Sequence, residues 1–399
     1  MVPKFLIIAG EPSGDARGAE LVTALRKLEP SCSFYGAGGP KMRQAGVRID
    51  HDLVSKAFIG FTDVLKNYRF IKNAFDSLLD SLQKEHPAVI ILIDYPGFNL
   101  RFAKAVKMGT VPGSLGTVPI FYYISPQIWA WGRNRIHLIR QVVDQMIVVF
   151  PFEEELYRRA GVPVTFVGHP FLNSVKPTIT CQEALKRFGL APEKTTIALL
   201  PGSREDEVKR HLPVMLNAAR ILLEDLPNLQ FVIAKPETLQ EALYTSVQRT
   251  ADSGQETGRT TDDARRMTIT IVSSNLYDIL HISDAAMVSS GSATLETALM
   301  NVPMVVIYKT GWLNYLLGKL LVKIPNIALV NVVAGKRIVP ELIQYQASGA
   351  AIAKALRPMI GAVEMADYIR EQLRNVRTKL GSPGSVMRAA EKILLTTYD

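Results

Sequence analysis

Short β-branched or apolar runs alternate with helical-period segments along nearly the whole chain, and few arrangements other than stacked βαβ units around parallel sheets accept that alternation. Runs that read as strands cover residues 5–9, 89–93, 120–124, 146–150 and 164–167. A second series covers residues 196–200, 229–234, 268–272, 285–288 and 304–307. The two series flank a Gly168-His169-Pro170 break, so the sequence predicts two doubly wound α/β domains, over residues 1–170 and 171–360. Beyond Pro340 only helical patterns remain, and residues 361–399 are expected to form helices that cross back to the first domain or to a partner chain.

A chain of 399 residues is long enough for two such domains, and 48% hydrophobic with 21% charged residues excludes a fibrous or disordered chain. Two cysteines, Cys32 and Cys181, exclude a disulfide framework and any CxxC metal knuckle, which makes a reducing cytoplasm the expected compartment. The first residues run straight into a strand without a basic segment, a long apolar core or a cleavage site, so secretion is not expected. Residues 108–132 carry no charged side chain, but Pro112, Pro119 and Pro126 make them a loop, a strand and a turn rather than a membrane span. A net charge of +9 favours anionic partners: nucleic acid, an acidic membrane surface or a phosphorylated substrate.

Chemistry is expected where strands end, because ligands of open α/β sheets gather at the carboxyl edge. The first strand runs into Gly10-Glu11-Pro12-Ser13-Gly14-Asp15 ahead of a helix. Such a turn either offers backbone N–H groups to an anion or a sugar hydroxyl, or is a tight connection capped by Ser13 or Asp15. Asp94 ends the apolar run 90–93; it is placed to accept a proton from an attacking hydroxyl, or else to cap the helix starting near Asn99. Pro201-Gly202-Ser203-Arg204 opens a helix after the strand 196–200, and its guanidinium fork suits a diphosphate. Ser289-Ser290-Gly291-Ser292-Ala293 leads to Glu296, whose two oxygens match vicinal ribose hydroxyls. A plain capping box is the alternative.

Other features are less specific. Asp50-His51-Asp52 spells a metal-type D-x-D but follows no buried strand and reads as a solvated loop. His169 is either a ligand-touching ring or a packed structural histidine. Neither a G-x-S-x-G elbow nor HExxH occurs. Phe58, Phe61, Leu65, Tyr68, Ile71 and Phe75 belong to an aromatic-rich helical stripe flanked by Lys66, Arg69 and Lys72. The stripe reads as core, or as a helix lying in a bilayer interface. Residues 312–319 repeat that pattern more weakly.

Together with Gly39-Pro40-Lys41-Met42, Ile93-Asp94-Tyr95-Pro96-Gly97-Phe98-Asn99, Ser125-Pro126-Gln127-Ile128-Trp129-Ala130-Trp131, Asn331-Val332-Val333-Ala334-Gly335 and Val339-Pro340-Glu341-Leu342, these segments closely resemble the lipid-A-disaccharide synthase family over nearly the whole chain. The resemblance implies a glycosyltransferase B-type fold of two Rossmann-like domains facing across a cleft, with acceptor and lipid on the first and the UDP-sugar on the second. It implies transfer, with inversion, from UDP-2,3-diacylglucosamine to the 6-hydroxyl of 2,3-diacylglucosamine 1-phosphate, giving the β-1,6 lipid A disaccharide 1-phosphate and UDP. No metal or other cofactor and no nucleic acid is implied. The expected place of work is the cytoplasmic face of the inner membrane, with a homodimer that exchanges C-terminal segments as a further implied partner.

Carried onto this sequence, the resemblance makes Asp94 the general base, Arg204 the diphosphate ligand with Gly202, Ser203, Ser290, Gly291, Ser292 and Ala293 around it, and Glu296 the ribose ligand. It assigns Ser13, Gly14, Asp15, Asn99, Ser125, Trp129, His169, Asn331 and Glu341 to the acceptor cleft, and the stripe from Phe58 to Phe75 to the acyl chains. Many members carry a second acid where this chain has Gly97, so no role passes to that position. Two other readings stand beside this one: another UDP-N-acetylglucosamine enzyme of the same fold, either an epimerase or the cell-wall lipid glycosyltransferase, and a nonenzymatic two-lobed binding protein.

Overall fold

The computed structural model describes residues 3–55, 68–108, 117–245, 267–273, 275–321 and 324–398. Phe58, Phe61 and Leu65 lie outside these, as does the side chain of Tyr68. The chain divides into two compact units, Met1–Pro170 with Gly381–Asp399, and Phe171–Leu380.

The first unit runs β1 (Lys4–Ala9), α1 (Pro12–Leu28), β2 (Ser33–Gly38), α2 (Pro40–Gln44), β3 (Arg48–Asp52), α3 (Tyr68–Glu85), β4 (Val89–Ile93), α4 (Pro96–Lys107), β5 (Ile120–Tyr123), α5 (Arg135–Val142), β6 (Gln145–Val148), α6 (Pro151–Arg159) and β7 (Val164–Phe166). Its parallel sheet has the order β3-β2-β1-β4-β5-β6-β7. Residues 5–9 of β1 and all of β4 are fully buried, as expected of central strands covered on both faces. Proline occupies the first position of α1, α2, α4 and α6, where the missing N–H costs nothing.

The second unit runs α7 (Phe171–Ser174), α8 (Cys181–Phe188), β8 (Thr195–Leu200), α9 (Glu205–Asp225), β9 (Leu229–Ala234), β10 (Ile269–Val272), α10 (Leu276–His281), β11 (Ala285–Ser289), α11 (Ala293–Leu299), β12 (Met304–Tyr308), α12 (Trp312–Leu321), α13 (Leu329–Ala334), β13 (Glu341–Ile343), α14 (Gly349–Gly361) and α15 (Val363–Lys379). Its sheet order is β10-β9-β8-β11-β12-β13. The edge strand β13 lies beyond Pro340, where the sequence signals only helix. Helix α15 stays with this unit, tied by Arg377 to the Leu299 carbonyl and by Lys379 to that of Ala334. The return to the first unit therefore starts at Gly381 rather than at residue 361. Helix α16 (Ser385–Tyr398) then packs against α1, and its Arg388 guanidinium donates to the carbonyls of Val167, Ser382 and Pro383.

Where α3 is described, its apolar stripe serves the core. Ala74, Leu78 and Leu82 are buried, Ile71 packs against the same cluster, and the Phe75 ring lies edge-on to Phe98 at 5.4 Å and Phe102 at 5.8 Å. Ile71 and Phe75 are partly buried and pack against the domain core, to which the helix turns its apolar face.

Asp15 is also taken up by the fold. Its buried carboxylate accepts the backbone N–H groups of Gly39 (2.8 Å), Lys41 (2.9 Å) and Met42 (3.0 Å), bracing the start of α2 against α1. Removing it strands three N–H groups, so Asp15→Ala is expected to lower unfolding free energy by roughly 3 kcal/mol. Urea denaturation reads this directly, and an unchanged midpoint would contradict the assignment.

Candidate active site

Each sheet reverses its strand order once, and the candidate residues lie at those reversals. In the first unit the switch falls between β1 and β4, which pair in parallel with Ala9 opposite Ile93. The turns that follow them carry Glu11 and Asp94. In the second unit it falls between β8 and β11, followed by the turns 201–204 and 290–292. A switch point opens a crevice because the two adjacent connections leave in opposite directions.

Asp94 and Tyr95 both adopt left-handed backbone, with φ of 45° and 49°, which is costly for residues bearing a Cβ. Two side chains hold this turn by the Asp94 carbonyl. The Tyr122 hydroxyl donates to it, and so does the Asn99 side-chain amide at 2.7 Å, which also reaches the Ile93 carbonyl at 3.2 Å. The Asp94 N–H donates to the Tyr123 carbonyl of the neighbouring strand. Gly10 lets the Tyr95 ring approach, since a Cβ there would fall inside the ring. Burial first, then the nearby Glu11 carboxylate, pushes Asp94 up to about 6, so it is ionised at neutral pH yet ready to take a proton.

Asn99 is fully buried and serves as the clamp of this turn rather than as a cleft residue. Gly14 is buried against Ala9 and Ile93, while Ser13 is exposed on the first turn of α1. His169 is 8% exposed and lies against Phe150, with ring centroids 5.1 Å apart. Burial, then the Arg17 guanidinium, holds it down to about 3, so it is neutral. Gly97 is exposed, with open space where a Cβ would stand.

Ser125 and Trp129 meet at a residue the sequence did not single out. The Ser125 hydroxyl (2.6 Å) and the Trp129 indole N–H (3.2 Å) both donate to Oε1 of Glu153, and the Phe150 N–H donates to Oε2 at 3.3 Å. Burial pushes this carboxyl up to about 7, against the pull of the Ser125 hydrogen bond. Glu153 is three residues into α6 and reads in the sequence as a helix-start acid. Its partners, 24 and 28 residues away, come from the β5–α5 connection.

In the second unit a cleft of about 530 Å³ is lined by the turn 202–204, by residues 289–293 and Glu296, and by Glu207, Lys235 and Leu276 among others. The two turns that the sequence paired are therefore brought together, with Arg204 exposed at the start of α9. Gly202 has φ of 133°, and a Cβ there would strike the Glu207 side chain, whose Oε2 accepts the Ser203 N–H at 2.9 Å. His211 ties the turn down from behind. Its Nε2 accepts the Lys309 N–H at 2.9 Å, which leaves Nδ1 protonated to donate to the Pro201 carbonyl at 2.7 Å. Glu296 accepts the Tyr277 hydroxyl at 2.9 Å. Lys235, Tyr277 and His211 are additions to the set read from sequence.

Asn331 and Glu341 do not line this cleft. Asn331 is fully buried, accepting the N–H groups of Ile338 and Val339 and donating to the Val339 carbonyl and to Glu341. Glu341 also accepts the N–H groups of Ile327 and Ala328. The pair locks the chain around α13 and β13, and the Ile327 carbonyl beside it accepts the Ser290 hydroxyl of the cleft at 3.4 Å. Asp50 and Asp52 likewise serve local structure: Asp50 pairs with Arg48, and Asp52 accepts from Val54 and Ser55. Among the described residues no helix is long and apolar enough to cross a membrane.

The family model described as lipid-A-disaccharide synthetase matches residues 5–394. The lipid-A-disaccharide synthase of Syntrophus aciditrophicus is 44% identical over 385 residues, covering 96% of this chain and 95% of that protein. That of Geobacter sulfurreducens is 40% identical over 391 residues, covering 98% and 96%. Among solved structures, the UDP-GlcNAc 2-epimerase of Neisseria meningitidis bound to UDP-GlcNAc superposes with a TM-score of 0.60 at 14% identity, covering 99% of each chain. The calicheamicin glycosyltransferase does so at 0.59 and 12%, covering 99% and 98%. These two likenesses bear on the fold, which is of the glycosyltransferase B type. The sequence match over residues 5–394 carries the assignment: this chain belongs to the lipid-A-disaccharide synthase family of glycosyltransferases.

Proposed function

We propose that this enzyme transfers the sugar of UDP-2,3-diacylglucosamine to the 6-hydroxyl of 2,3-diacylglucosamine 1-phosphate, with Asp94 as base and the Arg204 cleft as nucleotide site. The observation that carries the reading is Asp94 itself: a strand-end carboxylate held in strained backbone at a switch point, with its pKa raised to about 6. The acceptor oxygen attacks the anomeric carbon from the side opposite UDP, and its proton passes to Asp94 as the new bond forms. The bond to the diphosphate breaks with its electron pair going to UDP, where Arg204, Lys235 and the N-terminus of the 21-residue helix α9 offset the charge. One displacement inverts the anomeric centre. Glu296 is assigned to the ribose hydroxyls. The reaction as proposed draws on no metal.

Acylated substrates favour work at a bilayer surface, here the cytoplasmic face of the inner membrane. Trp312 (72% exposed) and Leu316 (49% exposed), four residues apart on α12, support such docking, together with the net positive charge. A homodimer exchanging residues from Gly381 onward would reuse the α1–α16 packing between copies. The epimerase, cell-wall glycosyltransferase and nonenzymatic readings lose their ground with family membership.

Mixing purified protein with both acylated substrates should yield the β-1,6 disaccharide monophosphate and UDP. Release of UDP without disaccharide would overturn the reading. Asp94→Asn is expected to lower kcat by 10²- to 10⁴-fold, on the order of a general base's contribution, with UDP affinity unchanged. Arg204→Ala is expected to weaken UDP binding by roughly ten- to a hundredfold in a calorimetric titration. Near-normal values in either variant would remove that residue from its role.

Asp94 also has a predicted stability signature. Its folded pKa lies above the ordinary 3.8, so the folded state favours the proton, and burying the ionised form costs about 3 kcal/mol above pH 6. Asparagine carries no charge and tolerates left-handed backbone. Asp94→Asn should therefore raise the melting temperature at pH 8, and raise it less at pH 5, where the native carboxyl is mostly protonated. An equal or reversed effect at the two pH values would contradict the burial.

A further inference from the structure

The Ser125–Trp131 segment takes no part in the displacement step above, yet it leaves the strand beside Asp94. β5 pairs with β4, Tyr122 grips the Asp94 carbonyl, and Ser125 follows two residues after the end of β5. Trp129 is held twice: by its indole N–H on Glu153 and by its ring, edge-on to Phe152 with centroids 5.2 Å apart. Trp131 behaves differently. It is 45% exposed, and the Arg135 guanidinium lies 4.4 Å from its ring centroid. An aromatic face with a cation over it, next to the acidic turn of the same sheet edge, is the chemistry that recognises a sugar ring bearing a phosphate.

We infer that Glu153 is a positioning residue, bracing the Ser125–Trp131 segment so that Trp131 and Arg135 receive the phosphorylated sugar of the acceptor. The inference rests on the reading that the acceptor binds the first unit, and it extends that reading from Ser125 and Trp129 to Glu153, Trp131 and Arg135. Glu153 does this through both oxygens. Oε1 gathers Ser125 and Trp129, while Oε2 takes the N–H of Phe150, the residue before α6, and so ties the carboxylate to the start of its own helix. The brace is buried and polar, so weakening it leaves donors unsatisfied and frees the segment to sample other positions.

The test is steady-state kinetics on the full-length enzyme with the acceptor monophosphate varied and UDP-sugar saturating, alongside UDP affinity and melting temperature. Glu153→Gln keeps the size but replaces one acceptor by a donor, and Ser125→Ala is the milder variant should the first fold poorly. Either is expected to raise acceptor KM, by roughly tenfold for Glu153→Gln, with UDP affinity within about twofold of wild type. Arg135→Ala is expected to raise acceptor KM similarly, and to lose the preference for the 1-phosphate over the dephosphorylated sugar. In the Glu153→Gln background, Arg135→Ala should add little, because the released segment no longer presents the cation. An unchanged acceptor KM in a folded Glu153→Gln enzyme, or two effects that multiply in full, would overturn the inference. Loss of activity that follows only the folded fraction would assign Glu153 to the core instead. The base assignment fails separately, through kcat of Asp94→Asn.

Discussion

The hydrogen bonds from Tyr122 and Asn99 to the Asp94 carbonyl hold the turn on which the proposed chemistry of the first unit depends. Two consecutive residues in left-handed backbone cost energy that no local interaction of an Asp-Tyr pair offsets, so the surrounding fold must supply it. The supply is specific: a buried tyrosine on the adjacent strand, a buried asparagine one turn into the following helix, and a glycine that clears space for the Tyr95 ring. The result is a carboxylate at a strand end whose charge is expensive at neutral pH, which is the condition a general base needs to accept a proton readily.

The second unit solves a related problem with different parts. Its turn after β8 is kept open by Gly202, fixed in front by Glu207 and behind by His211, whose tautomer is set by the Lys309 N–H. Arg204 stands at the head of α9 in the same cleft as the 289–293 segment. Each unit thus places its candidate site residues at its strand-order reversal and buried polar groups beneath it for their support. The supports are Asn99 and Tyr122 in one unit, and His211 with the Asn331–Glu341 lock in the other.

The alternation of strand and helix signals made the two parallel sheets readable, and strand-end positions pointed to the switch-point turns that carry Asp94, Arg204 and Glu296, because each depends on neighbours only a few residues away. What escaped depends on distant or weak signals. β2 carries Gly36 and Gly38, β3 is the charged edge Arg-Ile-Asp-His-Asp, and β13 has three residues, so none shows a sustained apolar run. Glu153 reads as a helix-start acid until the fold brings Ser125 and Trp129 to it. Asp15, Asn99, Asn331 and Glu341 were assigned to a cleft through family motifs. In the structure each of them satisfies several backbone groups at once. The apolar stripe of α3 was open to two readings, and where it is described Phe75 is partly buried with its ring against Phe98 and Phe102.

The proposed proton transfer turns on the electrostatic state of the Asp94 side chain. In protein labelled with carbon-13 at the aspartate carboxyl, the resonance missing from Asp94→Asn reports that group alone as pH is varied. A midpoint near 6 is the predicted result. A midpoint at the ordinary aspartate value, near 4, would mean a solvated carboxylate with no strained, buried turn beneath it, and the assignment of Asp94 as the proton acceptor would fall with it.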